Sequence, residues 1–214
     1  VVVTGYGLVS ALGNDPDTVW QRLLAGESGI SKIDRFDLTD YTSQIGGQVR
    51  DFDPTAYIDP RDLRRMPRYI QYAVYSALKA AEMAGLSDST ALDKSRAGVV
   101  IGSGMGGMEI FHDTSSALVA RGPRRVSPFF VPTVIANMIP GEVSMRLGWS
   151  GPNWSAVSAC ATSNHNIISA IDQIRLGRAD VMLAGGSEEG VCQIALAGFC
   201  TMKALSTRND EPHR

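Results

Sequence analysis

An α/β fold, a sandwich of mainly parallel strands, is predicted by the alternation of two patterns along the 214 residues. Short apolar runs that end in glycine are typical of buried strands, and apolar residues three and four positions apart are typical of amphipathic helices. In chain order the patterns give β, α, α, β, α, α, β, α, β, and such alternation indicates parallel strands joined by helical crossovers. The sequence shows no linker, low-complexity segment or internal repeat between them.

The chain begins with one predicted strand and one predicted helix. The β-branched run over residues 1–5 is typical of a buried strand. Asp15 is a suitable N-cap for the helix that follows, and a proline at the next position favours the first helical turn. Val19, Leu23 and Leu24 form the predicted apolar stripe of this helix.

The remaining elements alternate more regularly. Turn residues and isolated aromatics make residues 27–62 irregular, whereas apolar spacing over residues 70–81 predicts an amphipathic helix. Two prolines around residues 129–131 predict a rigid apolar turn. The later predicted strands are residues 97–102, 154–158 and 181–184, and the later predicted helices are residues 108–120, 133–146 and 161–177.

Composition excludes several classes of function. Hydrophobic residues make up 44% and charged residues 20%, which is enough apolar material for a core and argues against disorder. The net charge is −2 without a long run of either sign, so the charge pattern expected for binding nucleic acid or an anionic membrane is missing. No apolar stretch approaches the ~20 residues that span a bilayer, and no targeting segment is recognised.

A glycine-rich turn over residues 102–107 matches the pattern GxGxxG between a predicted strand and a predicted helix. Such a turn can offer backbone amides to a phosphate, as in an NADP-binding oxidoreductase. The acidic residue expected ~20 positions later is missing, and Arg121, Arg124 and Arg125 lie there instead. A tight turn that needs small residues for close packing is therefore the favoured interpretation.

Cys160 is the candidate nucleophile. Three cysteines without CxxC or zinc spacing favour reduced thiols. Cys160 lies between alanines where a predicted strand meets a predicted helix, and the amides and dipole of a helix N-terminus stabilise a thiolate relative to a thiol. A buried structural thiol is the alternative, and the residues alone leave both open. Cys192 and Cys200 lack this setting and are predicted to be structural.

The histidines offer no convincing general base, although a cysteine that attacks carbonyl compounds usually needs one. His112 is predicted to face solvent on a helix, and His213 lies in a polar tail that is expected to be an interrupted loop. His165 follows Cys160 by five positions on one predicted helix and so projects away from its first turn. Packing or a hydrogen bond is favoured for His165 over catalysis.

From Cys160 outwards, the sequence resembles the elongating β-ketoacyl-[acyl-carrier-protein] synthases of the synthase I/II class. The similarity runs through nearly the whole chain in a series of short ordered motifs. These motifs are Val2–Gly7, Leu23–Ile30, Gly102–Gly107, Ser127–Pro132, Ala136–Met138, Gly151–Asn153, Ala159–Ser163, Ala184–Glu188, Gly198–Phe199 and Ala204–Asp210.

The resemblance implies a thiolase fold, in which two similar α/β halves pack together, each a mixed, mainly parallel sheet with helices on both faces. Residues 1–214 correspond to the first half. By position, Cys160 matches the acylated nucleophile, and its backbone N–H matches one oxyanion donor. Met105, Phe130 and Phe199 match positions that shape or gate the acyl pocket. Because Cys160 is retained, the chain does not resemble the inactive partner class that replaces this cysteine.

The implied reaction condenses an acyl thioester with malonyl-acyl-carrier protein and releases carbon dioxide, with no metal or cofactor. The implied partners are acyl carrier protein, acyl and malonyl thioesters and a second copy of the chain, and the implied compartment is the bacterial cytoplasm or the plastid stroma. The family's two catalytic histidines, its lysine and its second oxyanion donor belong to a C-terminal half that this sequence does not contain. The alternative is a catalytically incomplete half with a structural or binding role.

Overall fold

Helices and strands alternate through the computed structural model, which describes residues 1–87 and 89–214. Their bounds are α1 Pro16–Leu24, β1 Ile30–Lys32, β2 Ile45–Gly47, α2 Pro60–Leu63, α3 Arg68–Met83, β3 Ala97–Gly102, α4 Met108–Arg121, α5 Phe130–Val134, α6 Met138–Leu147, β4 Asn153–Trp154, α7 Thr162–Arg175, β5 Val181–Gly186 and α8 Gln193–Thr201. The chain divides into two units, residues 1–7 with 54–189 and residues 8–53 with 190–214.

A parallel sheet forms the centre of the first unit, with β3 between β4 and β5. All six residues of β3 are buried, as expected for a central parallel strand covered on both faces. Val99 and Ile101 face a core shared with α3 and α6, whereas Gly102 faces α7. The predicted α/β architecture with helices on both faces of a parallel sheet is therefore confirmed.

Helix α3 confirms the helix predicted over residues 70–81. Its buried residues Ile70, Val74, Ala77 and Ala81 follow the spacing of a single helical stripe and belong to the core with β3. Burying each large aliphatic side chain of this stripe contributes about 1.5–3 kcal/mol. The helix ends at Met83, and Gly85, two residues further on, has a φ of +68° that favours glycine.

The second unit contains a short antiparallel pair, in which β1 and β2 align Ile30 with Gly47. These strands lie inside the stretch predicted to be irregular, and three residues each are too few to show an alternating pattern. Asp15 caps α1 as predicted by accepting from the amide of Thr18 at 2.9 Å. The predicted stripe of α1 is wrong in part, because only Val19 is buried while Leu23 and Leu24 are exposed.

The strand predicted over residues 1–5 is absent, and the side chains of Val1, Val2 and Val3 are exposed. An apolar β-branched run suits a strand, but it becomes one only where a neighbouring strand accepts its hydrogen bonds. The segment instead lies along α3, where a Cβ on Gly5 would collide with the carbonyl oxygen of Ala80.

Two other predicted elements differ in extent. The helix predicted over residues 133–146 is divided into α5 and α6, and Pro140 lies in the first turn of α6, where no intrahelical N–H bond is needed. The strand predicted over residues 154–158 is only Asn153–Trp154. Helix α8 has no counterpart in the sequence prediction, because its residues are apolar on most sides and give little helical periodicity.

Among the described residues, no helix is both long enough and apolar enough to cross a membrane.

Candidate active site

Cys160 lies in a single 3₁₀ turn, Ala159–Ala161, directly before α7. The preceding residue, Ala159, has a φ of +52°, a left-handed conformation that is strained for a residue with a side chain. The Cys160 side chain is exposed, whereas Cys192 is 1% exposed and Cys200 is half-buried. The turn before α7 that was predicted around Cys160 is therefore present, and it presents the thiol to solvent.

Side chains from α7 hold this turn in place. Thr162 accepts a hydrogen bond from the amide of Ser158 at 2.9 Å. Asn166 is fully buried, accepts from the amide of Ala156 at 3.0 Å, and donates to the carbonyl oxygen of Gly185 at 3.0 Å. One amide side chain thus joins the segment before Cys160 to strand β5, which explains why a polar residue occupies the buried face of α7.

His165 shares a hydrogen bond of 2.6 Å between its Nδ1 and the hydroxyl of Ser158. This is the hydrogen-bonding role favoured from the sequence, made to the segment before Cys160. His112 is half-buried on α4, so the prediction that it faces solvent is only partly right, and His213 is exposed near the end of the chain.

The glycine-rich turn is close-packed against its neighbours. A Cβ on Gly104 would lie 3.1 Å from both the carbonyl oxygen of Ala159 and a carboxylate oxygen of Glu188. A Cβ on Gly106 would lie 2.7 Å from the carbonyl oxygen of Val134, and Gly106 has a φ of +63°. These contacts account for the glycines by steric need, as the favoured interpretation of the sequence holds.

Two amides of this turn already have side-chain acceptors. The amide of Met105 donates to Oε2 of Glu188 at 3.0 Å, and the amide of Gly106 donates to the hydroxyl of Ser103 at 2.8 Å. A phosphate at this turn would meet the Glu188 carboxylate, and like charges at contact distance repel. The geometry thus argues against the dinucleotide-binding alternative.

Two of the three residues proposed for the acyl pocket, Met105 and Phe130, lie in the first unit. Met105 is half-buried in the glycine-rich turn, and Phe130 begins α5 with its ring centroid 6.3 Å from that of Phe111 on α4. Gly104, next to Met105, lies beside the Cys160 turn, since a Cβ added to it would lie 3.1 Å from the carbonyl oxygen of Ala159. Phe199 lies on α8 in the second unit.

The end of α5 is fixed by Tyr69, a residue that sequence reasoning did not single out. Its phenol donates to the carbonyl oxygens of Thr133 at 3.2 Å and Ile135 at 3.3 Å. Burial raises the pKa of Tyr69 far above its usual value, so the phenol keeps the proton that it donates. Only the helical periodicity around Tyr69 was visible in the sequence, and this periodicity predicts burial but not the partner of the hydroxyl.

Solved structures that are similar to this chain include thiolase-like ketosynthases. One is a β-ketoacyl synthase from Burkholderia phymatum STM815, with a TM-score of 0.88 and 30% identity over 99% of this chain and 52% of that one. The family model described as "Beta-ketoacyl synthase, N-terminal domain" matches residues 1–214. The chain therefore belongs to the β-ketoacyl synthase family, which confirms the resemblance drawn from the motifs.

Curated relatives are also similar. The chain is 46% identical over 214 residues to 3-oxoacyl-[acyl-carrier-protein] synthase I, chloroplastic, of Arabidopsis thaliana, covering 99% of this chain and 45% of that protein. It is 45% identical over 214 residues to 3-oxoacyl-[acyl-carrier-protein] synthase 2 of Vibrio harveyi, covering 100% of this chain and 51% of that protein. The chain thus spans about half the length of these relatives.

Proposed function

We propose that the chain is the N-terminal half of a β-ketoacyl-[acyl-carrier-protein] synthase and supplies the nucleophile of its condensation reaction. The observation that carries this proposal is the exposed Cys160 thiol in a strained turn at the start of the 14-residue helix α7. The names of the curated relatives support the same reaction class.

The reaction divides into two transfers. The Cys160 thiol gives up its proton, and the thiolate attacks the carbonyl carbon of an acyl thioester. A bond forms between that carbon and the Cys160 sulfur, the bond to the carrier sulfur breaks, and the carrier thiolate takes up a proton. Loss of carbon dioxide from malonyl-acyl-carrier protein then leaves a carbanion, which attacks the acyl-cysteine and releases the Cys160 thiolate. During both steps the backbone N–H of Cys160 donates to the oxyanion, and the histidines and lysine of the other half support decarboxylation.

Cys160 is expected to react first when the folded natural protein is treated with a limiting amount of iodoacetamide or an acyl thioester. Its thiol is exposed at a helix N-terminus, whereas Cys192 is buried and Cys200 is half-buried. Peptide mass mapping locates the label, and the other two cysteines are internal controls. Preferential labelling of Cys192 or Cys200 would rule out the assignment.

The acyl carrier protein is proposed to dock on a basic surface formed by Arg61, Arg64 and Arg65 of α2 and the turn after it, which together with Pro60 and Asp62 line an open surface depression. The Arg61 guanidinium bonds to Asp59 and holds the pKa of that carboxyl at about 2, so Arg61 is engaged within the chain. Arg64 and Arg65 are exposed, and Arg65 stacks on the ring of Phe129. Such a surface attracts partners that carry acidic side chains or phosphate groups.

Reversing two of these charges, by Arg64→Glu with Arg65→Glu, is expected to lower kcat/KM for carrier-bound substrates by about tenfold at low salt. The effect should shrink at high salt, and kcat/KM for a small acyl thioester without the carrier should change little. Arg178→Glu, at an exposed position after α7, is the matched control. Equal losses with both kinds of substrate would show that the surface does not bind the carrier.

The compartment and the assembly are also proposals. We place the protein in the bacterial cytoplasm or the plastid stroma, because the relatives include a chloroplastic plant enzyme and a bacterial one. A homodimer is expected for the intact enzyme. Sedimentation of the natural protein would show the assembly, and a mass about twice the 22.9 kDa of this chain per polypeptide would show the second half.

A further inference from the structure

The glycine-rich turn that carries Met105 needs an outside anchor. Gly102, Gly104, Gly106 and Gly107 make up four of its six residues, and glycine leaves the backbone more freedom than any other residue. Met105 is the one large side chain in this turn, and its direction depends on how the surrounding backbone is held. A residue that fixes this backbone therefore also fixes where Met105 points.

Glu188 makes that connection with both carboxylate oxygens. Oε2 accepts from the amide of Met105 at 3.0 Å, and Oε1 accepts from the hydroxyl of Ser103 at 2.8 Å. The same hydroxyl, on a side chain that is 2% exposed, accepts from the amide of Gly106 at 2.8 Å. One carboxylate thus holds the turn directly at Met105 and indirectly at Gly106, and hydrogen bonds to a charged acceptor are the stronger kind.

The position of Glu188 is fixed by its neighbour. Ser187 donates its amide to the carbonyl oxygen of Gly102 at 2.9 Å and its hydroxyl to the carbonyl oxygen of Tyr69 at 2.6 Å. These bonds hold the chain just beyond β5 against both β3 and α3. Glu188 is therefore attached to the rigid part of the unit, while the turn that it holds is rich in glycine.

The turn also touches the candidate nucleophile's segment on its other side. A Cβ added to Gly104 would lie 3.1 Å from Oε2 of Glu188 and 3.1 Å from the carbonyl oxygen of Ala159, the residue before Cys160. The backbone at Gly104 therefore lies between Glu188 and the Cys160 turn. A shift of the glycine-rich turn would move Met105 relative to the point where an acyl group is attached.

We infer that Glu188 is a positioning residue for acyl-chain specificity, which acts by holding the backbone of Met105 in place beside the Cys160 turn. The inference rests on the proposed function, since it needs an acyl group on Cys160 and Met105 in the wall of the acyl pocket. Glu188 itself is assigned no contact with a reacting atom and no proton transfer in the proposed condensation. Its loss should change which chain lengths are accepted more than it changes the chemical step.

Two variants of the full-length natural protein distinguish the hydrogen bonds that Glu188 accepts from its negative charge. Glu188→Ala removes both acceptors, whereas Glu188→Gln keeps the shape and retains a neutral hydrogen-bonding group toward Ser103 and Met105. The matched control is Glu189→Gln, because the adjacent Glu189 carries the same charge and its Oε2 lies 3.7 Å from Nε of Arg68 on α3 in an ion pair. Met105→Phe is the comparator, and it should shorten the accepted primer directly.

The readout is the ratio of kcat/KM for a long and a short acyl primer, with amide hydrogen exchange of residues 103–106 measured without substrate. For Glu188→Ala we expect the ratio to change by about tenfold and exchange of the Met105 amide to rise by a similar factor. Glu188→Gln should show a clearly smaller change in both. Glu189→Gln should leave the ratio unchanged, since a purely structural defect lowers kcat/KM for both primers by the same factor.

Four results would overturn the inference. If Met105→Phe shifts the ratio and Glu188→Ala does not, the proposed function stands and the role of Glu188 is wrong. If Glu189→Gln shifts the ratio as much as Glu188→Ala, the change in chain-length preference comes from any disturbance of this segment and not from a specific role of Glu188. If Glu188→Gln lowers kcat/KM for the long and the short primer by the same large factor, so that the ratio is unchanged, Glu188 acts on the chemical step. If the wild-type protein transfers no acyl group, the proposed function fails, and the specificity role fails with it.

Discussion

Replacing Cys160 by alanine is expected to abolish condensation, with a loss on the order of 10⁴-fold or more in the full-length protein. The alanine variant has no atom that can carry the acyl group, so the covalent route is closed. Because Cys160 is exposed and lies outside the hydrophobic core, the variant should keep its fold. Formation of the condensed product measures the loss, and near-UV circular dichroism verifies the fold.

The serine variant and a second cysteine give the controls for this prediction. Cys160→Ser keeps the size of the side chain but replaces the thiol by a much weaker nucleophile, so it should be nearly as inactive in acyl transfer. Cys200→Ala changes a half-buried cysteine on α8 and should keep most of the activity. Substantial condensation by Cys160→Ala, or an equal loss in Cys200→Ala, would show that the nucleophile is another group.

Sequence reasoning predicted best the elements whose own apolar pattern shows which of their faces are buried. β3 is apolar throughout and fully buried between two parallel neighbours, and α3 repeats its apolar stripe for four turns. The run Val1–Val3 looks similar to β3 but is exposed, because pairing depends on a partner strand that local sequence does not reveal. The division of α5 from α6 was visible only as Pro140, which fits either an interior kink or a first turn.

The candidate site was predictable where one residue type implies one chemistry. Cys160 between alanines before a helix was found in this way, and the structure places it in an exposed turn. Asn166 and Glu188 were not assigned a role, because a single polar residue gives no local signal of the partner that it bonds. Glu188 is 83 positions from Met105, and only the parallel pairing of β3 with β5 brings the two together.

Residues 1–214 expressed alone are expected to be insoluble, molten or bound to a second chain, and to release no carbon dioxide from malonyl-acyl-carrier protein. Helix α7 buries Thr162, Asn166 and Ala170, yet Ile167 and Ile168 are 43% and 55% exposed. In the proposed intact enzyme, this helix packs against its counterpart in the second half. Without that cover, the unit presents large aliphatic side chains to water.

The free energies involved explain why the effect should be large. Each large aliphatic side chain contributes about 1.5–3 kcal/mol when fully buried, so Ile167 and Ile168 together represent at most about 3–6 kcal/mol, which is comparable to the lower part of the ~5–15 kcal/mol net stability of a typical domain. The histidines that support decarboxylation are expected in the other half. Even a folded fragment should therefore release no carbon dioxide from malonyl-acyl-carrier protein. Near-UV circular dichroism, a thermal transition and carbon dioxide release test the prediction, with the full-length protein as control. A monomer with a cooperative transition and measurable release would show that the second half is dispensable for both stability and chemistry.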